Sequence, residues 1–201
     1  MDLVQRLQDR FRARWVKIKF HGTVPANHTF DSYQGARFCE AVTESYARPL
    51  IISPETIICT AARHVFRWNG NMRADIVKNI HEELGFPVER AETVVNGLPR
   101  LKPGCGAIGL NQNGEPDVLV SYCQPEQVME ILTIYQQKTG ETPRVPVFGV
   151  ASLCASIAMA ALSKKGLHLS FGCPNVRKYG RIGRDRLAIA ISRELAMVLI
   201  E

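Results

Sequence analysis

The stretch VPVFGVASLCASIAMAALS, residues 145–163, runs for 19 residues without a charged side chain. That length is enough for a membrane span. Pro146 and Gly149 interrupt its first turns, however, serines are spread along it, and alanine is commoner than leucine. We therefore expect a buried strand at 145–150 that leads into a buried helix at 151–165, and no membrane span.

Helical and strand patterns alternate on both sides of this stretch. Strands are predicted at residues 15–20, 104–110, 118–122, 167–171 and 187–191. Helices are predicted at residues 3–14, 36–46, 55–68, 72–84, 88–96, 125–138 and 193–200, and a polar loop at 21–35. The turn at 111–114 predicts a hairpin between the second and third strands. The pattern predicts a mixed α/β (α+β) fold, one compact domain over residues 1–201 with a helical N-terminal half and a mixed sheet.

The composition is that of a globular protein. Of the 201 residues, 46% are hydrophobic and 22% are charged, and there are 15 glycines and 11 prolines. These values exclude a disordered chain, collagen and a coiled coil as descriptions of the whole molecule. The first 15 residues carry frequent charges and no apolar run, so we expect no secretory signal and a chain that starts near Met1.

The six cysteines without an export signal indicate a reducing cytoplasm, where thiols are core residues, ligands or catalysts rather than disulfides. No CxxC pair is present, which excludes the zinc-ribbon, ferredoxin and thioredoxin spacings. Two longer spacings are alike: Cys39 and Cys59 are 20 residues apart, and Cys154 and Cys173 are 19 apart. An arginine follows the second cysteine of each pair at the fourth position. An internal repeat that brings thiols and guanidinium groups around one centre would explain this pattern, and so would chance.

An iron–sulfur or related metal centre is the chemistry that these residues suggest. Thiolate is the ligand form of cysteine, and a nearby arginine lowers its pKa and offsets the negative charge of a thiolate-bound cluster. The alternative for Cys154, and also for Cys123, is a small hydrophobic core residue. The predicted metal ligands are Cys59 and Cys173, with Cys39 and Cys154 as further candidates and Arg63 and Arg177 as charge partners.

A basic segment, RKYGRIGRDR at residues 177–186, carries five positive charges and one negative charge, out of a net charge of +6 for the chain. Nucleic-acid binding would more naturally spread basic residues along a face with interleaved aromatic rings, and here only Tyr179 is interleaved. We therefore predict a local anion site, with a solvated basic loop as the alternative. The predicted anion-binding residues are Arg177, Lys178, Arg181 and Arg184.

Two other motifs give weaker evidence of a binding site. The glycines at 104–109 have the GxGxxG spacing of a dinucleotide fingerprint, but no strand precedes them and no helix follows. His21, His28 and His64 show no zinc spacing, so we expect loop or partly buried histidines.

Five segments resemble, in order, the archaeal and bacterial proteins of domain-of-unknown-function family 169. They are WVKIKF (15–20), YQGARFCEAV (33–42), SPETIICTAARHVF (53–66), EPDVLVSYCQPEQVMEIL (115–132) and LSFGCPNVRKYGRIGRDRLAIAIS (169–192). The resemblance spans roughly residues 15–195. It implies a single compact α/β domain, no settled biochemical role, and anaerobic hosts in which an oxygen-sensitive metal cofactor is plausible.

The sequence thus favours a cytoplasmic protein that binds an iron–sulfur or related cofactor through cysteine thiolates and an anion through its basic loop. The alternative is a metal-free small-molecule enzyme or binding module with a cysteine nucleophile and a phosphate or carboxylate site at 177–186. A third hypothesis is a subunit that serves as an assembly partner. The expected partners are a small anionic ligand or a protein, including a second copy of the chain, and neither nucleic acid nor a membrane.

Overall fold

The computed structural model describes residues 2–26, 37–68, 72–143 and 145–201. Parts of two predicted elements lie outside these ranges. They are residues 27–35 of the predicted loop, which include His28, and the first residue of the helix predicted at 36–46. The strands are β1 (Trp15–His21), β2 (Leu50–Ile52), β3 (Ala107–Leu110), β4 (Val118–Cys123), β5 (Leu167–Ser170) and β6 (Leu187–Ser192). The helices are α1 (Leu3–Phe11), α2 (Phe38–Glu44), α3 (Thr60–Val65), α4 (Arg73–Leu84), α5 (Val88–Asn96), α6 (Pro125–Thr139), α7 (Ser152–Leu162), α8 (Pro174–Tyr179) and α9 (Arg193–Ile200).

The described strands form one six-stranded sheet in the order β2-β3-β1-β4-β6-β5. Side chains alternate between the faces of each strand, so both faces can be buried. Val16 and Val120 on one face pack with α2, α3, α7 and α8, whereas Trp15 and Leu119 on the other face pack with α1, α6 and α9. The predicted mixed α/β class and single compact domain are confirmed. The predicted mixed sheet is not, because every recorded strand pair is antiparallel.

The two halves of the sheet share an order of elements once three helices are set aside. The first half has β1, α2, β2, α3 and β3, with α4 and α5 inserted before β3. The second half has β4, α7, β5, α8 and β6, with α6 inserted after β4. In each half the third strand lies between the other two, and β1 and β4 pair in antiparallel fashion at the centre. An approximate two-fold axis therefore passes between β1 and β4. This topology is the one expected of an internal repeat, which is one of the two explanations left open for the cysteine spacing.

The predicted hairpin of β3 and β4 is wrong, because β1 lies between these two strands. Ile18 at the middle of β1 is opposite Leu110 on one side and Val118 on the other. The connection at 111–117 therefore crosses β1 rather than turning back. Its ends are fixed there: Asn111 Oδ1 accepts from the Lys17 amide at 2.9 Å, and Asp117 Oδ2 accepts from the Phe20 amide at 2.8 Å.

Other boundaries also differ from the predictions. Residues 145–150 form no strand, and the predicted helix at 55–68 begins only at Thr60. Before it, Ser53 belongs to a turn in which its amide donates to Thr56 Oγ1 at 2.8 Å. β2 and α8 were not predicted, because their three and six residues are too few to show a clear periodicity.

No helix among the described residues combines the length and the apolar character needed to cross a membrane.

Candidate functional site

Four of the six cysteines line one cavity on the face of the sheet covered by α2, α3, α7 and α8. The cavity has a volume of about 80 Å³, and its apolar wall includes Ile76 and Ile80 of α4. We refer to it as the thiol cavity. Its cysteines, the four that were predicted as metal ligands, are Cys39, Cys59, Cys154 and Cys173.

The four thiols occupy two pairs of equivalent positions. Cys39 lies in α2 of the first half and Cys154 lies in α7 of the second half. Cys59 and Cys173 are the residues immediately before α3 and α8, at the N-cap of each six-residue helix. The approximate two-fold axis thus relates one thiol pair to the other, and both pairs face the same cavity.

Local sequence explains the position of Cys173. Gly172 has φ of +83°, which favours glycine, and Pro174 occupies the first turn of α8, where its missing N–H costs no hydrogen bond. A Cβ at position 172 would lie 3.2 Å from Arg177 Nε and 3.3 Å from Val176 Cγ1. The glycine therefore allows the sharp turn out of β5 that delivers Cys173 to the cavity.

Burial and mutual repulsion hold the helix-borne thiols in the neutral form. Burial, followed by the charges of Cys173 and Cys59, raises the pKa of Cys39 from 9.0 to about 12. Burial raises the pKa of Cys154 well above its ordinary value, and the charges of Cys59, Cys173 and Cys39 add to this effect. The four groups are therefore close enough to sense one another's charge. The Cys39 thiol donates to the Asn175 carbonyl at 3.4 Å.

The thiols surround the cavity without meeting at one point. Among the described residues, no group of three or more His, Cys, Asp or Glu side chains has an arrangement that could already hold a metal ion. The four thiols thus line a shared cavity. A metal group would have to draw the sulfur atoms together or fill the cavity between them.

The two arginines predicted as charge partners have structural contacts that the sequence did not reveal. Arg63 donates through Nε to the Ile57 carbonyl at 2.7 Å and through its terminal nitrogen to the Pro54 carbonyl. Arg177 donates to the carbonyls of residues 171, 183 and 186. Ile57 and Phe171 each lie two residues before the N-cap cysteine of their half. Each arginine therefore clamps the turn that positions Cys59 or Cys173.

The other predicted anion-binding residues do not converge on one point of the basic loop. Lys178 lies 5.2 Å from the centre of the Tyr179 ring, and Arg184 is exposed. Arg181 lines a cleft whose wall also includes Gly183 and Arg186. Sequence reasoning did not anticipate that Arg37 lines the thiol cavity and lies 5.1 Å from the Tyr179 ring.

Comparison with known proteins gives one match. A family model described as Uncharacterised ArCR, domain-of-unknown-function family 169 (DUF169), matches residues 10–201. No curated protein matches the chain. No solved structure matches it either.

Proposed function

The chain belongs to the DUF169 family, and from this premise we propose that it binds an iron–sulfur or related soft-metal cofactor through the four thiols of the thiol cavity. The observation that carries the proposal is the convergence of two equivalent thiol pairs on one cavity. A helix-borne cysteine and an N-cap cysteine from each half line the same 80 Å³ space. A packing role alone would not require the same two positions to be cysteine in both halves.

The electrostatics support a cation as the occupant. Burial is the main reason why the pKa values of Cys39 and Cys154 are raised, and the negative charge of neighbouring thiolates adds to the effect. A bound metal group relieves the repulsion between thiolates, and its binding releases the thiol protons. Thiolate is a soft ligand that favours zinc, Cu(I) and iron–sulfur clusters over calcium or magnesium. The donor set therefore fits this class of metal group.

We favour a cluster over a single ion because the thiols line a cavity without forming a compact group. A tetrahedral zinc–thiolate site has metal–sulfur bonds of about 2.3 Å, so its sulfur atoms lie about 3.8 Å apart. The described thiols show no such ready-made group, and they surround a cavity. A cluster places its own iron and sulfide atoms between the ligands, so its cysteines stand further apart and its four-thiolate ligation matches the four cysteines present.

The alternative, a cysteine nucleophile without metal, has less support at the helix-borne positions. A nucleophilic thiol needs a lowered pKa, usually from a nearby cation or base. Burial raises the pKa of Cys39 and of Cys154 instead, and no arginine contributes to either shift. Metal binding uses these same two thiols without requiring them to be ionised beforehand, because the metal displaces the proton.

Anaerobic purification of the full chain, followed by iron, sulfide, zinc and copper analysis and a visible absorption spectrum, tests the proposal. We expect bound iron and sulfide with a charge-transfer band, and strong loss of both in the Cys39→Ser, Cys59→Ser, Cys154→Ser and Cys173→Ser variants. Cys123→Ser is the matched control, because Cys123 is fully buried but lies in the core on the other face of the sheet. A folded, metal-free parent protein, or equal metal content in all five variants, would refute the proposal.

A further inference from the structure

A cleft of about 530 Å³ lies between the segment after α1, the end of β4 and the loop at 180–186. Four arginines line it, and none of the described residues that line it is an aspartate or glutamate. We call it the arginine cleft. Its arginines are Arg12, Arg14, Arg181 and Arg186.

Two of these arginines have a backbone conformation that is unusual for a side chain of this size. Arg12 and Arg181 both have φ of +51°, in the left-handed region that glycine adopts more readily. Such a conformation is strained for a non-glycine residue and is often found at functional sites. Arg12 ends α1, and its amide donates to the Gln8 carbonyl at 2.8 Å. Glycine would be the less strained residue for this cap, so the arginine side chain has a separate reason to be there.

The other two arginines are oriented by neighbouring carbonyls. One terminal nitrogen of Arg14 donates to the Tyr46 carbonyl at 2.9 Å, and its guanidinium carbon lies 4.5 Å from the centre of the Tyr46 ring. One terminal nitrogen of Arg186 donates to the Tyr122 carbonyl at 3.1 Å. These contacts fix the planes of two guanidinium groups at the wall of the cleft, which is the preorganisation that bidentate anion recognition needs.

Uncharged polar groups complete the lining. Thr43, Tyr46, Gln124 and Gln127 line the cleft beside the arginines. Tyr122 also lines it, and its ring belongs to the core between the cleft and the thiol cavity.

Carboxylates lie nearby but outside the arginine cleft. Glu40 and Glu44 line an adjoining pocket that shares Arg14 and Arg181 with it. Glu44 is paired with Arg48 at 3.4 Å, and Glu40 accepts from the Arg37 amide at the start of α2. Among the described residues, Glu44 thus has a cationic partner of its own, Glu40 has only a neutral amide, and the four arginines of the cleft leave positive charge in excess.

We propose that the arginine cleft binds a phosphorylated small molecule. Its volume falls within the range of small-molecule sites, and four guanidinium groups without a lining carboxylate suit a ligand that carries at least two negative charges. Arginine forks match the oxygens of phosphate in paired hydrogen bonds, and the tyrosine and glutamine side chains can contact the rest of the ligand. The site overlaps the basic segment that the sequence predicts, at Arg181 and Arg186, and differs from it by adding Arg12 and Arg14 from the other end of the chain. It is independent of the metal proposal.

Titration of the full chain with pyrophosphate, followed by calorimetry and by thermal unfolding, tests this proposal. At matched ionic strength, pyrophosphate should bind and raise the melting temperature, whereas chloride should not. The double variant Arg12→Gln and Arg181→Gln should weaken pyrophosphate binding at least tenfold. The matched control, Lys178→Gln with Arg184→Gln, removes the same charge from the basic loop outside the cleft and should change the affinity less than twofold.

Three results would overturn the proposal. The first is the absence of any pyrophosphate effect beyond that of chloride, and the second is equal weakening in the two double variants, which would indicate a general effect of net charge. The third is tighter binding of citrate or of a single-stranded RNA decamer than of pyrophosphate, which would assign the cleft to another ligand class. If the double variant does not fold, as judged by circular dichroism, Arg181→Gln alone replaces it, with an expected loss of at least threefold against Arg184→Gln.

Discussion

The two halves of the molecule share the positions that shape the thiol cavity and differ in what they add around it. Both halves have a helix-borne cysteine, an N-cap cysteine and an arginine that clamps the turn before it. After α3, the first half inserts α4 and α5, and α4 supplies apolar wall to the cavity. After α8, the second half has the basic loop, which forms part of the arginine cleft. The shared positions therefore indicate one common function, which is to form the thiol cavity. The added segments have two separate functions, since α4 completes the cavity wall and the basic loop forms part of the arginine cleft.

The arginine clamps test this equivalence with the largest expected effect. Arg177 donates to three carbonyls and Arg63 to two, and each such bond contributes about 1 kcal/mol to stability. In urea unfolding of the metal-free protein, Arg177→Ala should lower the free energy of unfolding by about 3 kcal/mol and Arg63→Ala by about 2 kcal/mol. Arg184→Ala is the exposed control and should cost less than about 0.5 kcal/mol. If Arg63→Ala left the free energy of unfolding unchanged while Arg177→Ala lowered it, the two halves would not be equivalent at this position.

Much of this comparison could be predicted from the sequence, because it depends on local spacing. The 20-residue and 19-residue cysteine spacings indicated the repeat, and the arginine four residues after each second cysteine marked the clamps. The function of those arginines could not be read from spacing, since their partners are main-chain carbonyls that look alike in every sequence. Helices that have proline at their start and glycine at their end, such as α5 and α6, were also predicted correctly.

Features that depend on contacts between residues far apart in the sequence could not be predicted. The Asn-Gln-Asn-Gly turn signal favoured a hairpin, but β1 pairs with both strands and takes the place between them. The arginine cleft joins Arg12 and Arg14 to Arg181 and Arg186 from opposite ends of the chain, so no local pattern marks it. Only positive φ at two of its arginines distinguishes it, and the sequence does not show φ.

The helix-borne thiols give a prediction about pH. Cys39 has a pKa of about 12 in the folded protein and an ordinary value of 9.0 when unfolded, so the unfolded chain loses this proton first. The stabilising effect of the protonated thiol is complete below pH 9 and is lost as the pH rises toward 12. For the metal-free protein, Cys39 alone should lower the free energy of unfolding by about 2 kcal/mol between pH 8 and pH 10.5.

Comparison of the parent protein with Cys39→Ser isolates this contribution from other groups that titrate in the same range. The variant should lose about 2 kcal/mol less stability over the interval. Cys154→Ser, at the equivalent position, should also reduce the loss, because burial raises the pKa of Cys154 as well. Ser45→Ala is the control: its buried hydroxyl donates to the Val42 carbonyl, so its cost should be the same at both pH values. Parallel curves for the parent and both cysteine variants would show that burial in the thiol cavity does not raise the pKa of these thiols.

The smallest expected effect concerns the residue before each N-cap cysteine, where the two halves differ most. Gly172 has a left-handed φ of +83°, whereas Ile58, at the equivalent position, does not have positive φ and is 51% exposed. Gly172→Ala should cost about 1–2 kcal/mol, because alanine is strained at this φ and its Cβ would crowd Val176 and the clamp of Arg177. Ile58→Ala removes a half-exposed side chain and should cost less than about 1 kcal/mol. Denaturant unfolding measures both values. The turn before Cys173 depends on glycine, and the turn before Cys59 does not. A larger cost for Ile58→Ala than for Gly172→Ala would therefore show that the turn before Cys59 is the more constrained of the two.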